Sequence, residues 1–421
     1  MPTKTHFHRF DQHTLLKHFL LRVYLKAWAD IIVEKFGTAW FVDAFAGEGC
    51  DGDGNPGSPL IAAQIAIDIN NHFFPNGLSP ITGMRVAAFE WQHDRYNRLV
   101  EVMKPYTRPT RPWPNTIATV TEGTLEAKLA AVTEFLEKRP TLYFLDPFGI
   151  DGLSAAVIPE LLAGGQKEVL VLFADIGAVR LAGKARAGAK DEETELEVAR
   201  SAVPDNLFGE AETASEIEAA VAAKRRELAG HKSNPNADEI MNRAFGGDWW
   251  KPIIDATPED RRREKFVELY EERVLKQSGA THCLHYRVRT PDGKHKYFLI
   301  HASKDVRAFA VMKDAMHRTR SQALRASANR PALIDPSDAG DIESDIRLIG
   351  DAVVRHFSGQ RGVRWTGARG SVQQFVLENT PLWMHERDAL KAELTRRRFT
   401  RLNDKGRPSR PMTFDFPSSP G

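Results

Sequence analysis

Three acidic residues each close a short run of strand-forming residues: Asp43 after Thr38 to Val42, Glu90 after Arg85 to Phe89, and Glu122 after Ile117 to Thr121. Ligands of open α/β sheets sit in the crevice outside the carboxyl ends of the strands. Carboxylates at three consecutive strand ends therefore predict a single polar binding site. Asp43 leads straight into Ala44-Phe45-Ala46-Gly47-Glu48-Gly49-Cys50-Asp51-Gly52-Asp53-Gly54-Asn55-Pro56-Gly57. Glycine has no Cβ to collide with a bound molecule, so such a loop lets backbone N–H groups come close to it.

Asp43, Phe45, Ala46, Gly47 and Gly49 read as the cofactor loop of an S-adenosylmethionine (SAM) site. In such a site the first-strand acid lies near the amino-acid end of the cofactor, and the glycines admit the adenosyl part. Glu90 is placed to accept hydrogen bonds from both ribose hydroxyls, and Glu122 to face the adenine amino group. Two other readings stand beside this one. Gly47, Gly49 and Gly52 match the G-x-G-x-x-G dinucleotide fingerprint. That fingerprint should open a helix directly and be followed by an acid ~20 residues on. Here the helix starts only near Ser58, and Glu90 lies about twice that far downstream. A loop that is merely a tight turn is the third reading.

The second group is Leu142-Tyr143-Phe144-Leu145-Asp146-Pro147-Phe148-Gly149, a buried strand ending in an acid. Methyl transfer is an in-line displacement at a sulfonium methyl, so a protein must orient the attacking lone pair and accept any released proton. Asp146 would hydrogen-bond an amine or hydroxyl, Pro147 would fix the backbone, and Phe148 would stack on a planar acceptor. The alternative is that Asp146 is only the N-cap of a helix over Ser154 to Leu162, with a turn proline behind it.

The elements that must position these residues alternate between strand and helix. Apolar pairs recur from Leu15/Leu16 to Ile31/Ile32, the stripe of a long helix that covers a sheet face. Ser58-Pro59 reads as an N-cap and first-turn proline. Further strands are expected at Thr141 to Leu145 and Val169 to Phe173, with helices at His93 to Val102 and Thr124 to Glu137. The pattern predicts a parallel sheet with helices on both faces. His285 to Thr290 and Lys296 to His301, split by Pro291-Asp292-Gly293-Lys294, read as a terminal hairpin.

The fold class expected is α/β, a Rossmann-like sheet, with residues 1–320 as core and 175–260 as a helical insertion. Residues 321–341, overlapping the stretch Arg318 to Asp338 with its Ser, Ala, Asn, Pro and Asp content, read as a linker. Residues 342–421 form a smaller unit with helices at Val372 to Leu377 and Glu386 to Arg397. Strands at Phe399 to Leu402 and Pro411 to Phe414 give it a winged-helix-like pattern. Its Arg396, Arg397, Arg398, Arg401, Lys405, Arg407 and Arg410 would suit phosphates, or form the solvated face of a protein-binding module. Over the chain, 58 Lys plus Arg offset 56 Asp plus Glu for a net +2, so a polyanion site would have to be local. Two cysteines, Cys50 and Cys283, give neither a disulfide framework nor a structural zinc site. They read as small buried residues of a cytoplasmic protein, without signal peptide or bilayer-spanning run.

With these residues in view, the chain resembles the three-Cys-motif partner (TcmP) proteins from about Thr14 to Met316. The similarity lies in the helix Leu21 to Trp28, in Phe41-Val-Asp-Ala-Phe-Ala-Gly-Glu-Gly49 and in Gly57-Ser58-Pro59-Leu60. It continues in Phe89-Glu90, in Leu145-Asp146-Pro147-Phe148-Gly149, and in Phe298-Leu-Ile-His-Ala-Ser303 with Met312-Lys-Asp-Ala-Met316. The resemblance implies a class I methyltransferase fold and a partner carrying a three-cysteine motif of the radical-SAM-like iron–sulfur kind. Asp146-Pro147-Phe148-Gly149 is also similar to the Asp/Asn-Pro-Pro-Phe/Tyr motif of nucleic-acid amino-methyltransferases, but lacks the second proline. Trp249/Trp250 would stack bases or anchor the insertion. The activity expected is SAM-dependent methyl transfer to nitrogen of a nucleic acid, nucleotide or partner-associated substrate. The competing expectations are a non-catalytic SAM-binding scaffold and a DNA-binding regulator.

Overall fold

The computed structural model describes residues 12–77, 79, 81–107, 116–187, 237–258, 261–289, 295–327, 342–366, 370–379, 387–402 and 412–417. Seven strands form one sheet: β1 (Thr38–Asp43), β2 (Gly83–Glu90), β3 (Ala118–Glu122), β4 (Thr141–Leu145), β5 (Lys167–Phe173), β6 (His282–Arg289) and β7 (His295–Ser303). Their spatial order is β3-β2-β1-β4-β5-β7-β6. The pairings β1/β2, β2/β3, β1/β4 and β4/β5 are parallel, and β6/β7 is antiparallel. This is the Rossmann-like α/β sheet of the methyltransferase fold, as the alternation of strand and helix predicted.

The chain runs outward from β1 through β2 to β3, then returns to the other side of β1 with β4. That reversal makes the carboxyl ends of β1 and β4 the switch point, where the connections diverge and leave a crevice. Asp43 pairs in register with Phe144, so Asp43 and Asp146 stand on either side of it. β1, β4 and β5 are buried almost throughout, consistent with a parallel sheet covered on both faces.

Helix α1 (Gln12–Phe36) precedes the sheet in sequence and buries Leu16, Leu20, Leu21, Tyr24, Leu25, Trp28, Ala29 and Val33. The first members of two expected apolar pairs, Leu15 and Ile31, are exposed. Polar side chains interrupt the buried stripe. The Tyr24 hydroxyl bonds Glu168 and lies 3.0 Å from His301 Nε2, and Trp28 Nε1 donates to Glu168 Oε1 at 2.8 Å. His301 Nε2 is also 2.9 Å from Glu168 Oε2, so one buried carboxylate on β5 ties α1 to β7.

Helix α2 (Ser58–Phe73) starts one residue earlier than the sequence suggests. Gly57 is its N-cap and makes no side-chain capping bond, which leaves the Ser58 hydroxyl to turn toward Asp43. α3 is His93–Thr107, and the expected helix Thr124 to Glu137 is a 3-10 turn, Glu126–Lys128, followed by α4 (Leu129–Leu136). After β4 come 3-10 turns at Ile150–Gly152 and Ala155–Val157 before α5 (Ile158–Leu162). The N-cap alternative for Asp146 is thereby overturned: the first turn is capped at Gly149, and Asp146 bonds elsewhere.

The chain divides into two compact units, one of residues 1–146, 161–171 and 279–421, the other of residues 147–160 and 172–278. The second contains helices Asp175–Ala187, Ala237–Phe245, Lys251–Ala256 and Arg262–Tyr270, the last running into a π-helical turn, Glu271–Lys276. Phe173, Phe245, Phe266 and Tyr270 form its aromatic core. Trp250 is buried with Nε1 on Asn242 Oδ1 at 2.9 Å, and Trp249 packs edge-on to Phe245, so both tryptophans anchor helices. Most of the expected insertion, residues 188–236, lies outside the described residues.

In the first unit the helix after β7, Val306–Ser327, continues ten residues into the stretch read as linker. Its Arg318 to Ser327 segment is rich in Ala, Arg, Gln and Leu, all favourable in helices. Farther on are helices Ile342–His356, Val372–Asn379 and Arg387–Arg396, and the paired strands β8 (Val363–Arg364) and β9 (Thr413–Phe414). Thr400 bridges Phe414 as well, and Trp365, Val372, Leu390, Leu394, Phe414 and Phe416 belong to one core cluster. The buried Lys313 ammonium caps the Leu377 carbonyl, joining this cluster to Val306–Ser327. Residues 403–411, with Lys405, Arg407 and Arg410, lie outside the described residues. No helix among the described residues is long and apolar enough to cross a membrane.

Candidate functional site

The loop from Asp43 to Gly57 is held by its own backbone. Ala44 N bonds Phe144 O at 3.0 Å, Ala46 N bonds Phe89 O at 2.9 Å and Gly57 N bonds Gly49 O at 2.8 Å. The first two fasten it to β4 and β2. The Asp51 carboxylate accepts from Asp53 N, Asn55 N and Asn55 Nδ2, closing the turn-rich tip that separates the loop from α2. Glu48 Oε2 pairs with Arg98 on α3 at 2.9 Å.

The two key glycines serve different ends. Gly49 (φ +82°) packs so tightly that a Cβ would come 2.9 Å from Leu99 Cδ1. Gly47 has φ +61°, and a Cβ there would meet nothing within 4 Å. Gly49 is therefore required by packing against α3, whereas Gly47 is a left-handed turn whose open side faces free space. Just before Gly47, Phe45 is half-buried and Ala46 buried.

Asp43 is fully buried, accepts from Phe45 N at 3.2 Å through Oδ1, and makes no hydrogen bond through Oδ2. Burial pushes its carboxyl up to about 7, against the opposing influence of the Ser58 hydroxyl and the Phe45 amide; the neighbouring Asp146 carboxylate adds to the rise and the Lys17 ammonium counters it. An acid with one unbonded oxygen, at the foot of an open glycine turn, is prepared to receive a donor from a ligand.

Glu90 is buried and already committed: Oε2 accepts from Gly47 N at 2.9 Å and Oε1 from Gln92 N at 2.8 Å. It sets the loop against β2, and each oxygen keeps one lone pair for a further donor. Glu122 stands at the exposed end of β3 with Oε1 2.8 Å from His93 Nδ1, and this contact raises the His93 pKa. Trp91, directly after Glu90, is 56% exposed. The sequence reading missed it, although a large aromatic next to a strand-end acid is a visible signal.

Asp146 carries a contact that no local pattern foretold. Its Oδ2 receives a hydrogen bond from the Lys17 ammonium of α1, with both side chains largely buried at 11% and 15% exposure. Tyr297 of β7 is near enough for the Asp146 charge to raise its pKa, after the larger effect of burial. In the other unit, Pro147 is buried and Phe148 is 67% exposed, an apolar face presented to solvent two residues after Asp146. Cys50 and Cys283 form no disulfide and are only half-buried, less buried than expected. No metal-binding cluster of His, Cys, Asp or Glu occurs among the described residues.

The basic stretch near the C-terminus is less available than its sequence suggests. Arg396 is bonded to Glu393, and Arg397 to Glu393 at 2.6 Å and Asp351 at 2.5 Å. Of the seven basic residues read as a phosphate surface, Arg398 and Arg401 remain among the described residues outside these pairs.

No protein-family model matches this sequence, and no curated protein matches it significantly. Solved structures align with it loosely over much of its length. The O-methyltransferase from Bacillus cereus in complex with SAH aligns over 70% of this chain and 83% of its own, at 10% identity and a TM-score of 0.32. PKMT2 from Rickettsia typhi aligns over 68% of this chain and 53% of its own, at 6% identity and a TM-score of 0.28. The fold is assigned on the chain's own strand order.

Proposed function

We propose that this protein is a SAM-dependent methyltransferase that transfers a methyl group to nitrogen of a nucleic acid, nucleotide or partner-associated substrate. The observation that carries the reading is the pairing of an open left-handed turn at Gly47 with the buried, incompletely bonded Asp43 at the β1/β4 switch point. Asp43 would take the amino end of the cofactor, and the Gly47 turn would admit the adenosyl part. Glu90 would offer its remaining lone pairs to the ribose hydroxyls, and Glu122 would face the adenine amino group. When bound, the cofactor supplies an electrophilic methyl on a sulfonium.

Asp146, at the adjacent strand end, would orient the acceptor nitrogen and receive its proton. Phe148, exposed just beyond it, suits a planar acceptor such as a base. The resemblance to TcmP proteins adds a three-cysteine-motif protein as the partner. A second reading, a SAM-binding scaffold without turnover, draws on the ion pair with Lys17 that occupies Asp146. The DNA-binding reading loses support from the internal pairing of Arg396 and Arg397.

Calorimetric titration of the full chain with SAM, S-adenosylhomocysteine and NAD tests the cofactor. Saturable binding of the first two, lost in Gly47→Arg and absent for NAD, is the expected result. Binding of NAD alone, or SAM binding undisturbed in Gly47→Arg, would overturn it.

A further inference from the structure

Lys17 is an unusual residue for its position. It lies on the buried side of α1 beside Leu16, Leu20 and Leu21, where a lysine is tolerated only if paired. The Asp146 carboxylate is its partner, and Asp43 is close enough to feel both charges. One ammonium and two carboxylates therefore meet at the carboxyl ends of β1 and β4.

That arrangement is the complement of an α-amino acid, which brings one ammonium and one carboxylate. We propose that Lys17 is the residue that binds the carboxylate of the cofactor's amino-acid end, exchanging Asp146 for it, so that cofactor binding releases Asp146 to the acceptor. The inference rests on the SAM reading above and assigns one of that site's contacts. Before binding, Lys17 holds Asp146; afterwards the ligand carboxylate holds Lys17, the ligand ammonium faces Asp43, and Asp146 is left to take its next partner from the acceptor. A largely buried carboxylate without its ammonium is costly, so the released Asp146 favours an acceptor that brings a donor. A lysine has three donors and Asp146 occupies one, so the incoming carboxylate can bind before the old pair breaks. The acceptor site would thus be completed only after the cofactor is in place, giving ordered binding.

The test compares ligands that differ only at the amino-acid end. S-Adenosylhomocysteine, its decarboxylated counterpart and 5′-methylthioadenosine are titrated into the full-length wild type, Lys17→Met and Lys17→Arg. The expected result for Lys17→Met is a loss of about 10- to 100-fold in affinity for S-adenosylhomocysteine. Affinity for the other two ligands stays unchanged, and Lys17→Arg retains most of the preference for the carboxylate. Equal losses for all three ligands would assign Lys17 a structural role and overturn the proposal, as would no loss for any. A wild type that binds none of the three overturns the cofactor reading itself, an outcome recognisable before any variant is measured.

Discussion

The Lys17 ammonium, from a helix that precedes the sheet, hydrogen-bonds the Asp146 carboxylate at the end of β4, 129 residues away in sequence. The pair joins the helix covering the sheet to the strand end on which the proposed chemistry depends. Asp146→Asn keeps the shape and removes the proton acceptor. In that variant SAM affinity should be kept or raised, because Lys17 no longer gives up a carboxylate to receive the cofactor's, while turnover falls about 100-fold or more. Isothermal titration and a methyl-transfer assay on the same preparation check this. Full turnover in Asp146→Asn would favour the scaffold reading.

Gly47 and Gly49 should separate ligand binding from stability. Alanine at Gly49 would push Cβ against Leu99 in a left-handed backbone, at a cost of about 1–3 kcal/mol. At Gly47 an added Cβ meets open space, so the cost is confined to the backbone, about 1 kcal/mol. The same Cβ would occupy the face offered to the cofactor. Urea midpoints should therefore fall further in Gly49→Ala, and SAM affinity further in Gly47→Ala.

The strand ends and the glycine loop were legible because their signals are local: short apolar runs, each closed by an acid, and glycines at fixed spacing. The contacts that tune the site were not. Nothing near Lys17 marks it as a partner of Asp146, because the pairing exists only once α1 lies on the sheet. The commitment of Glu90 to Gly47 N likewise arises from the packing of β2 against the loop. The stretch from Arg318 reads as linker for its Ser, Ala, Asn, Pro and Asp content, although its Ala, Leu and Arg residues carry the helix on to Ser327. Trp91 was readable and overlooked.

Asp43 predicts a dependence on pH. Its carboxyl is raised by burial from 3.8 to about 7, so the folded chain holds this proton more tightly than the unfolded chain. The contribution to stability is full below the unfolded value and declines as pH rises through the folded one. Asp43→Asn should remove that decline, visible as a flatter stability profile between pH 4 and pH 7. Ligand binding should show the opposite slope. A cationic amino group prefers ionised Asp43, so SAM affinity should fall as pH drops below about 7, by up to about tenfold per unit. Titrations in buffers of different ionisation enthalpy would report the proton released on binding, and Asp43→Asn should abolish the release.

The buried carboxylate of Glu168 makes the fourth prediction, on how α1 is held. Its oxygens accept from Trp28 and meet the Tyr24 hydroxyl and His301 Nε2, so its removal strands several polar groups in a core that water does not reach. Leaving buried donors without acceptors costs about 1–3 kcal/mol each, offset in part by relaxation. Glu168→Ala should therefore destabilise the protein by about 3 kcal/mol or more, whereas Tyr24→Phe, which removes one hydroxyl and leaves the remaining partners of Glu168, should cost about 1 kcal/mol. Denaturant unfolding of both variants measures the difference. The site offers a second readout, because α1 also carries Lys17. If α1 is fastened chiefly by Glu168, its loss should loosen the helix and weaken SAM binding in Glu168→Ala, while Tyr24→Phe binds as the wild type does. Equal affinities in the two variants would mean that the apolar stripe of α1 suffices to hold Lys17 in place.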